Sequence, residues 1–186
     1  TVDKVDIVED ATGRRVQAVF IKVEGDEWEE SIDRSKDIVR EIKLEKQEII
    51  DKVKAMGIVG MGGATFPTQV KLAPPPTAKP ECVIINAVEC EPYLTSDHSL
   101  MLAHPEEICI GVQILEKAIG VKKAYIGIEA NKPDAIQLMT ETAKKGFPEI
   151  EIVPLKLKYP QGGEKQLINA VIGKEVPSGG LPIATG

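Results

Sequence analysis

Cys82-Val83-Ile84-Ile85-Asn86 is a short, unbroken apolar run. A run without polar alternation is the pattern of a strand buried on both faces of a parallel sheet. Downstream, Lys123 to Ile128 and Ile150 to Leu155 read as two more strands. The segments between them carry apolar residues at helical spacing. One covers about 97–119, with Pro105 marking a break and a new start after His104, and another runs from Pro133 to Lys145. A last helix is expected from about Gly163 to Ile172. Strands alternating with helices predict right-handed βαβ units, hence an α/β fold whose parallel sheet is covered by helices on both faces.

Upstream, Glu45 to Met56 places Ile49, Ile50, Val53 and Met56 on one helical face, and Gly57 supplies a stop. Residues 3–8 and 15–24 alternate around Ala11-Thr12-Gly13, which predicts a β-hairpin, the remnant of a β-rich unit. Residues 25–44 are strongly charged and read as a surface connection. The expected organisation is a hairpin and charged connection over 1–44 and an α/β domain over 45–186. Thr1 is not a methionine and Gly186 falls in a loop-like stretch, so the expectation is a fragment of a longer protein.

A net charge of −6 argues against a nucleic-acid surface. No apolar run approaches the roughly 20 residues of a membrane span, and the first residues lack a signal-peptide pattern. Cys82, Cys90 and Cys109 contain no C-x-x-C spacing and read as reduced, mostly buried thiols.

Sites in such sheets lie at the carboxyl ends of strands. Three segments qualify. The first is Gly60-Met61-Gly62-Gly63-Ala64-Thr65-Phe66-Pro67-Thr68-Gln69-Val70-Lys71. Glycines let the backbone approach a ligand, amide groups in such a turn form an anion site, and Lys71 adds a full charge. It is neither a Walker loop nor a GxGxxG fingerprint, which speaks against a nucleotide phosphotransferase. The bland reading is a flexible turn, with Phe66 in the core. The second is Asn86-Ala87-Val88-Glu89-Cys90-Glu91-Pro92-Tyr93, in which Asn86 both donates and accepts and Glu89 and Glu91 accept, for ribose hydroxyls or an amide. The alternative is a pair of solvated glutamates. The third is Tyr159-Pro160-Gln161-Gly162-Gly163-Glu164, where Gly162 permits close approach and Glu164 binds a ligand or simply favours the start of a helix. Cys90, His98 and His104 lack the spacing of a zinc site, so no metal ligand is assigned.

Taken in order, Gly60-x-Gly-Gly-Ala-x-Phe-Pro-Thr-x-x-Lys71, Asn86-Ala-x-Glu-x-Glu-Pro92 and Tyr159-x-x-Gly-x-Glu164 resemble the flavin- and NADH-binding subunit of respiratory complex I. Gly57-Ile-Val-Gly60, Ala87-Val-Glu-Cys-Glu-Pro-Tyr93, Tyr159-Pro-Gln-Gly-Gly-Glu-Lys165 and Pro177-Ser-Gly-Gly-Leu-Pro182 bring the chain closer to the C subunit of Rnf electron-transport complexes. The resemblance covers about residues 45–186, and cobalamin reductases share the same core. It implies a Rossmann-like domain that binds FMN and accepts hydride from NADH. By the resemblance, Gly60, Gly62, Gly63 and Lys71 hold the FMN phosphate and ribityl. Asn86 and Glu89 contact the flavin side, Gly162 and Glu164 line the same cleft, Phe66 stacks near the adenine or nicotinamide, and Glu91 faces NADH. No catalytic acid or base is implied, because the chemistry belongs to the cofactors.

The resemblance further implies 4Fe-4S clusters in a C-terminal region not in this chain. It implies a peripheral place on the cytoplasmic face of the membrane beside the other subunits, with ferredoxin served indirectly. Val88 and Gly163 depart from the complex I pattern, which has acids there, and both fit the Rnf branch. A flavin-dependent cobalamin reductase and a non-catalytic docking domain are the competing readings.

Overall fold

The structure, a computed structural model, describes residues 1–10, 12–61 and 65–186. The chain divides into two compact units, Thr1–Asp37 and Ile38–Gly186.

In the first unit, strands β1 (Val2–Glu9) and β2 (Arg15–Ile21) pair antiparallel, with Val5 opposite Val19 and Val8 opposite Val16. The Asp10 carboxylate closes the turn, accepting from the Thr12 hydroxyl at 2.7 Å and from the Thr12 and Arg14 amides at 2.8 and 3.0 Å. These bonds favour the ionised acid, and the Thr12 hydroxyl does most to hold the Asp10 carboxyl below its usual range. The hairpin expected from alternation is present; Ala11 of the expected turn lies outside the described residues.

The second unit contains α1 (Lys46–Ala55), α2 (Thr68–Leu72), β3 (Val83–Ala87), α3 (Ser96–Ala103) and α4 (Pro105–Ile119). It continues with β4 (Ala124–Glu129), α5 (Pro133–Gly146), β5 (Ile150–Leu155), α6 (Glu164–Ile172) and a 3-10 turn at Pro182–Thr185. The three strands form a parallel sheet in the order β3-β4-β5, in register with Ile85 beside Ile126 and Ile126 beside Ile152. The Rossmann-like α/β expectation and the small β-rich appendage are both observed.

Each sheet face buries its own core. Ile126 and Ile128 pack with Met101, Cys109, Val112, Ala135 and Met139 from α3, α4 and α5. The opposite face buries Leu155 and Val88 against Leu167 of α6, with Val171 at the edge. Gly127 explains how close α6 comes. A Cβ there would stand 2.9 Å from a Leu167 methyl and 3.0 Å from a Leu155 methyl, so a larger residue would have to displace those side chains. A third cluster, Ile49, Ile50, Leu72 and Ala118, seats α1 and α2 against α4.

Two expectations are corrected. Of the three cysteines only Cys109 is buried; Cys82 and Cys90 are half-buried because they flank strand β3 near its solvent-reaching ends. Helix α2 is not expected from periodicity. Its five residues are too few for a repeating apolar face, and Leu72 alone buries.

Candidate functional site

The glycine turn is closed at its base. The Gly60 amide donates to the Phe66 carbonyl at 2.9 Å and the Thr68 amide to the Ile58 carbonyl at 3.1 Å, while Val59 bridges Pro67. Helix α2 starts straight after this clasp and carries Lys71 back over it. The ammonium stands 5.9 Å from the centre of the half-exposed Phe66 ring. A Cβ placed on Gly60 would lie 3.6 Å from the Lys71 Nζ, so the glycine keeps the space beside that charge free. Lys71 forms no ion pair among the described residues. Gly62 and Gly63 lie outside the described residues. Gly60, Phe66 and Lys71 are therefore brought together, and an uncommitted ammonium beside a bare backbone suits a phosphate. Among the described residues of the turn, the Lys71 ammonium is the group whose chemistry fits the phosphate end of FMN.

The second and third segments meet each other. The Asn86 amide donates to the Gly162 carbonyl at 2.9 Å and its Oδ1 accepts from the Val88 amide at 3.2 Å. The Gly162 amide in turn donates to the Cys90 Sγ at 3.4 Å. A Cβ on Gly162 would fall 3.1 Å from the Val88 carbonyl and 3.3 Å from that sulfur. The loop after β3 and the loop after β5 are thus stitched into one wall, and Asn86 and Gly162 are the stitches.

Glu89 is buried and occupied. Its carboxylate accepts from the Ser96 hydroxyl at 3.2 Å and from the Asp97 and His98 amides at 2.7 and 3.1 Å. An acid on the first free amides of α3 offsets the positive end of that helix. Burial, and then the Glu89 charge beside it, push the Asp97 carboxyl above its usual range, while Lys132 pulls it back. Glu91 is exposed at the mouth of the cleft, and Glu164 is exposed on the first turn of α6. Tyr93, wholly exposed, holds a positive φ of 69°.

A cleft of about 390 Å³ opens at the carboxyl ends of β3 and β4, lined among others by Glu89, Cys90, Glu91, Leu94, His98 and Lys132. Lys132 of its lining belongs to a buried pair that sequence reasoning missed. Glu129, the last residue of β4, is fully buried and its Oε2 accepts from the Lys132 Nζ at 3.1 Å. The signal was available, since an acid ending a buried strand with a lysine three residues on sits where ligands bind in such sheets. His98 Nε2 bonds Asp134 Oδ1 at 2.9 Å, tying α3 to α5 beside the same cleft and holding the Asp134 carboxyl below its usual range.

Residues 53–186 match the profile of the Nuo51 FMN-binding domain. The chain belongs to the Nuo51 FMN-binding domain family.

Within that family two relatives are ferredoxin:NAD(+) oxidoreductase components. The chain is 49% identical over 175 residues to the C subunit of the proton-translocating complex of Clostridium ljungdahlii, covering 92% of this chain and 37% of that one. It is 46% identical over 180 residues to the Na(+)-translocating counterpart of Acetobacterium woodii, covering 95% and 39%. The resemblance to Rnf-type C subunits thus holds over most of the chain, which spans well under half the length of those relatives. Among solved structures, an NAD+-reducing [NiFe]-hydrogenase in the air-oxidized state superposes with a TM-score of 0.55 at 27% identity, over 70% of this chain and 24% of that one. Among the described residues no helix is long and apolar enough to cross a membrane, and no three His, Cys, Asp or Glu side chains gather as a metal site.

Proposed function

We propose that this chain is the FMN- and NADH-binding core of an electron-transfer subunit in an ion-translocating ferredoxin:NAD(+) oxidoreductase. The observation that carries the reading is Lys71, an ammonium without an ion-pair partner among the described residues, held at the throat of the Gly60–Phe66 turn. Membership of the Nuo51 family and likeness to C subunits named for ferredoxin and NAD(+) support it.

When bound, FMN supplies the redox chemistry, taking two electrons as hydride and releasing them singly. The protein's own residues bind and orient. Lys71 neutralises phosphate charge, and Gly60 leaves the backbone open beside it. Phe66 offers a stacking face. Asn86 and Gly162 join the loops after β3 and β5, and Glu91 presents an acceptor at the cleft. Glu89 anchors the loop after β3 to α3, and Glu164 on the first turn of α6 offers a further acceptor to the cofactor. The hairpin unit Thr1–Asp37 serves as a β-rich arm and residues 45–186 as the cofactor domain. The domain works as a peripheral part of a membrane assembly, facing the cytoplasm. In this reading iron–sulfur clusters outside these residues would carry electrons onward to ferredoxin.

FMN titration followed by quenching of flavin fluorescence tests this reading. Saturable quenching, followed by bleaching on addition of NADH, is the expected result. Absence of binding would overturn the flavin assignment and favour a docking domain.

A further inference from the structure

Lys71 is held from two sides, and the second hold lies outside the glycine turn. Before it, the clasp fixes the start of α2, where the Thr68 amide donates to the Ile58 carbonyl at 3.1 Å. After it, the hold is a single side chain. Leu72 is the one residue of α2 that buries, at 2% exposure, and the closing Ala73 amide reaches the Val70 carbonyl only at 3.4 Å. A five-residue helix makes too few internal bonds to keep its own shape. The Lys71 contact with the Phe66 ring is long at 5.9 Å. The aim of the ammonium therefore depends on where Leu72 is seated.

That seat is the cluster with Ile49, Ile50 and Ala118. Ile42 and Leu44 pack on the same cluster and are half-buried, while Glu41, Lys43 and Glu45 are exposed. Such alternation marks an extended segment laid with one side on the core. Charged side chains clip it along α4. The Arg40 guanidinium donates twice to the Glu106 carboxylate of the first turn, to Oε1 at 2.6 Å and to Oε2 at 3.0 Å. In the last turn the Lys117 Nζ donates to the Ile42 carbonyl at 3.1 Å. Lys46 then donates to the Ile119 carbonyl at 3.0 Å, where α4 ends. Residues 38–45 thus form a strap, apolar beneath and fastened by charge. The two-bonded Arg40–Glu106 clip fixes direction, yet both residues are exposed, so breaking it leaves the domain folded.

We infer that this strap positions Lys71: by fixing the cluster that seats Leu72, it sets the reach of the ammonium toward the phosphate of a bound flavin nucleotide. Arg40, Glu106 and Leu72 are positioning residues that act through Lys71. The inference deepens the proposed function and rests on it. The second unit begins at Ile38, so the strap is also where the chain enters that unit, and tension on this entry loosens the phosphate end of the site.

The test titrates FMN and riboflavin, which lacks the phosphate, against the 186-residue chain by quenching of flavin fluorescence. The ratio of the two affinities reads the phosphate contact alone. Lys71→Ala is expected to lower the preference for FMN about tenfold or more. Arg40→Gln should lower it about threefold and leave riboflavin affinity unchanged. Exchanging the pair, Arg40→Glu with Glu106→Arg, should recover most of what Arg40→Glu alone loses. Leu72→Ala should approach the Lys71→Ala ratio, and Leu72→Met should retain most of the preference. If Leu72→Ala fails to fold, the exposed Arg40 variants decide. In a Lys71→Ala background Arg40→Gln should change nothing, because the group it positions is gone. A ratio unmoved by Arg40→Gln, equal losses of FMN and riboflavin affinity, or an effect that persists without Lys71 would overturn the inference. The two levels separate on the unaltered chain. Binding of neither flavin sinks the reading on which the inference rests, whereas a preference for FMN that needs Lys71 but ignores the strap sinks only the inference.

Discussion

The Asn86 side-chain amide donates to the Gly162 carbonyl at 2.9 Å across 76 positions of sequence, joining the carboxyl-end loops of the sheet's two outer strands. Central strand β4 has no part in that bond, so the two loops form a wall over its end. Replacing Asn86 with Ala removes the donor to Gly162 and the acceptor for the Val88 amide together. Each lost bond is worth about 1 kcal/mol, so thermal unfolding should report a loss of about 1–2 kcal/mol. FMN affinity should fall as well, because the wall loses its registration. An unchanged melting temperature would mean that the loops hold each other by packing alone.

Two glycine-to-alanine changes should behave differently, and the difference is physical. At Gly127 the new methyl crowds the ends of Leu167 and Leu155, which can rotate away, so a cost of about 1 kcal/mol in stability is expected with little change in ligand binding. At Gly162 it meets the Val88 carbonyl and the Cys90 sulfur, parts of the wall itself. There we expect about 2–3 kcal/mol, with a matching loss of flavin affinity. Calorimetry and FMN titration on the pair would show whether the site is damaged locally or through the fold.

Lys71→Ala removes a charge without removing an ion pair found among the described residues. Stability should hardly move, because the side chain is exposed and its one ring contact is long at 5.9 Å. FMN affinity should drop by about 1.5–3 kcal/mol, the worth of a charge-assisted contact. Titration giving equal affinities would place the phosphate elsewhere.

Local pattern made the strands legible in the sequence. The run Cys82–Asn86 and its repeats declared three buried parallel strands because period and composition carry that information locally, and strand β5 spans Ile150–Leu155, the range read from sequence. The carboxyl-end rule pointed to Asn86 and Gly162 but not to the bond between them, since a contact across 76 positions leaves no local pattern. Glu89 illustrates the same limit. In sequence it is one acid of a Glu-x-Glu pair; only the placement of α3 shows that its carboxylate is spent on two helix amides and the Ser96 hydroxyl. Glu129 and Lys132 were overlooked because charged residues at a strand end ordinarily read as solvated, and only burial distinguishes these.

Thiol chemistry should separate the three cysteines. Burial, reinforced by Glu106, pushes the Cys109 thiol up to about 11, and the side chain has no solvent exposure. Burial also raises the Cys82 thiol. Alkylation of the native protein at pH 8 should therefore spare Cys109 until the chain unfolds, and Cys90, at the cleft, should lose reactivity when ligand is bound. Mass mapping of the modified peptides decides this. Early labelling of Cys109 would show that α4 opens locally from the sheet.

Glu116 of α4 gives a pH dependence of defined sign. Its side chain is buried, its Oε1 meets no donor among the described residues, and burial followed by the nearby Glu149 raises its carboxyl above the ordinary value near 4.5. The folded chain therefore keeps this proton after the unfolded chain has released it. Stability contributed by the protonated acid is complete below the ordinary value and is lost as pH rises through the raised one. Glu116→Gln cannot ionise, so it should match the native chain below about pH 4 and exceed it at neutral pH by about 1 kcal/mol or more, the scale of an unsatisfied buried polar group. Urea unfolding at both pH values measures the difference. A variant less stable at neutral pH would mean that the ionised carboxylate is held by water, and that α4 relies on it.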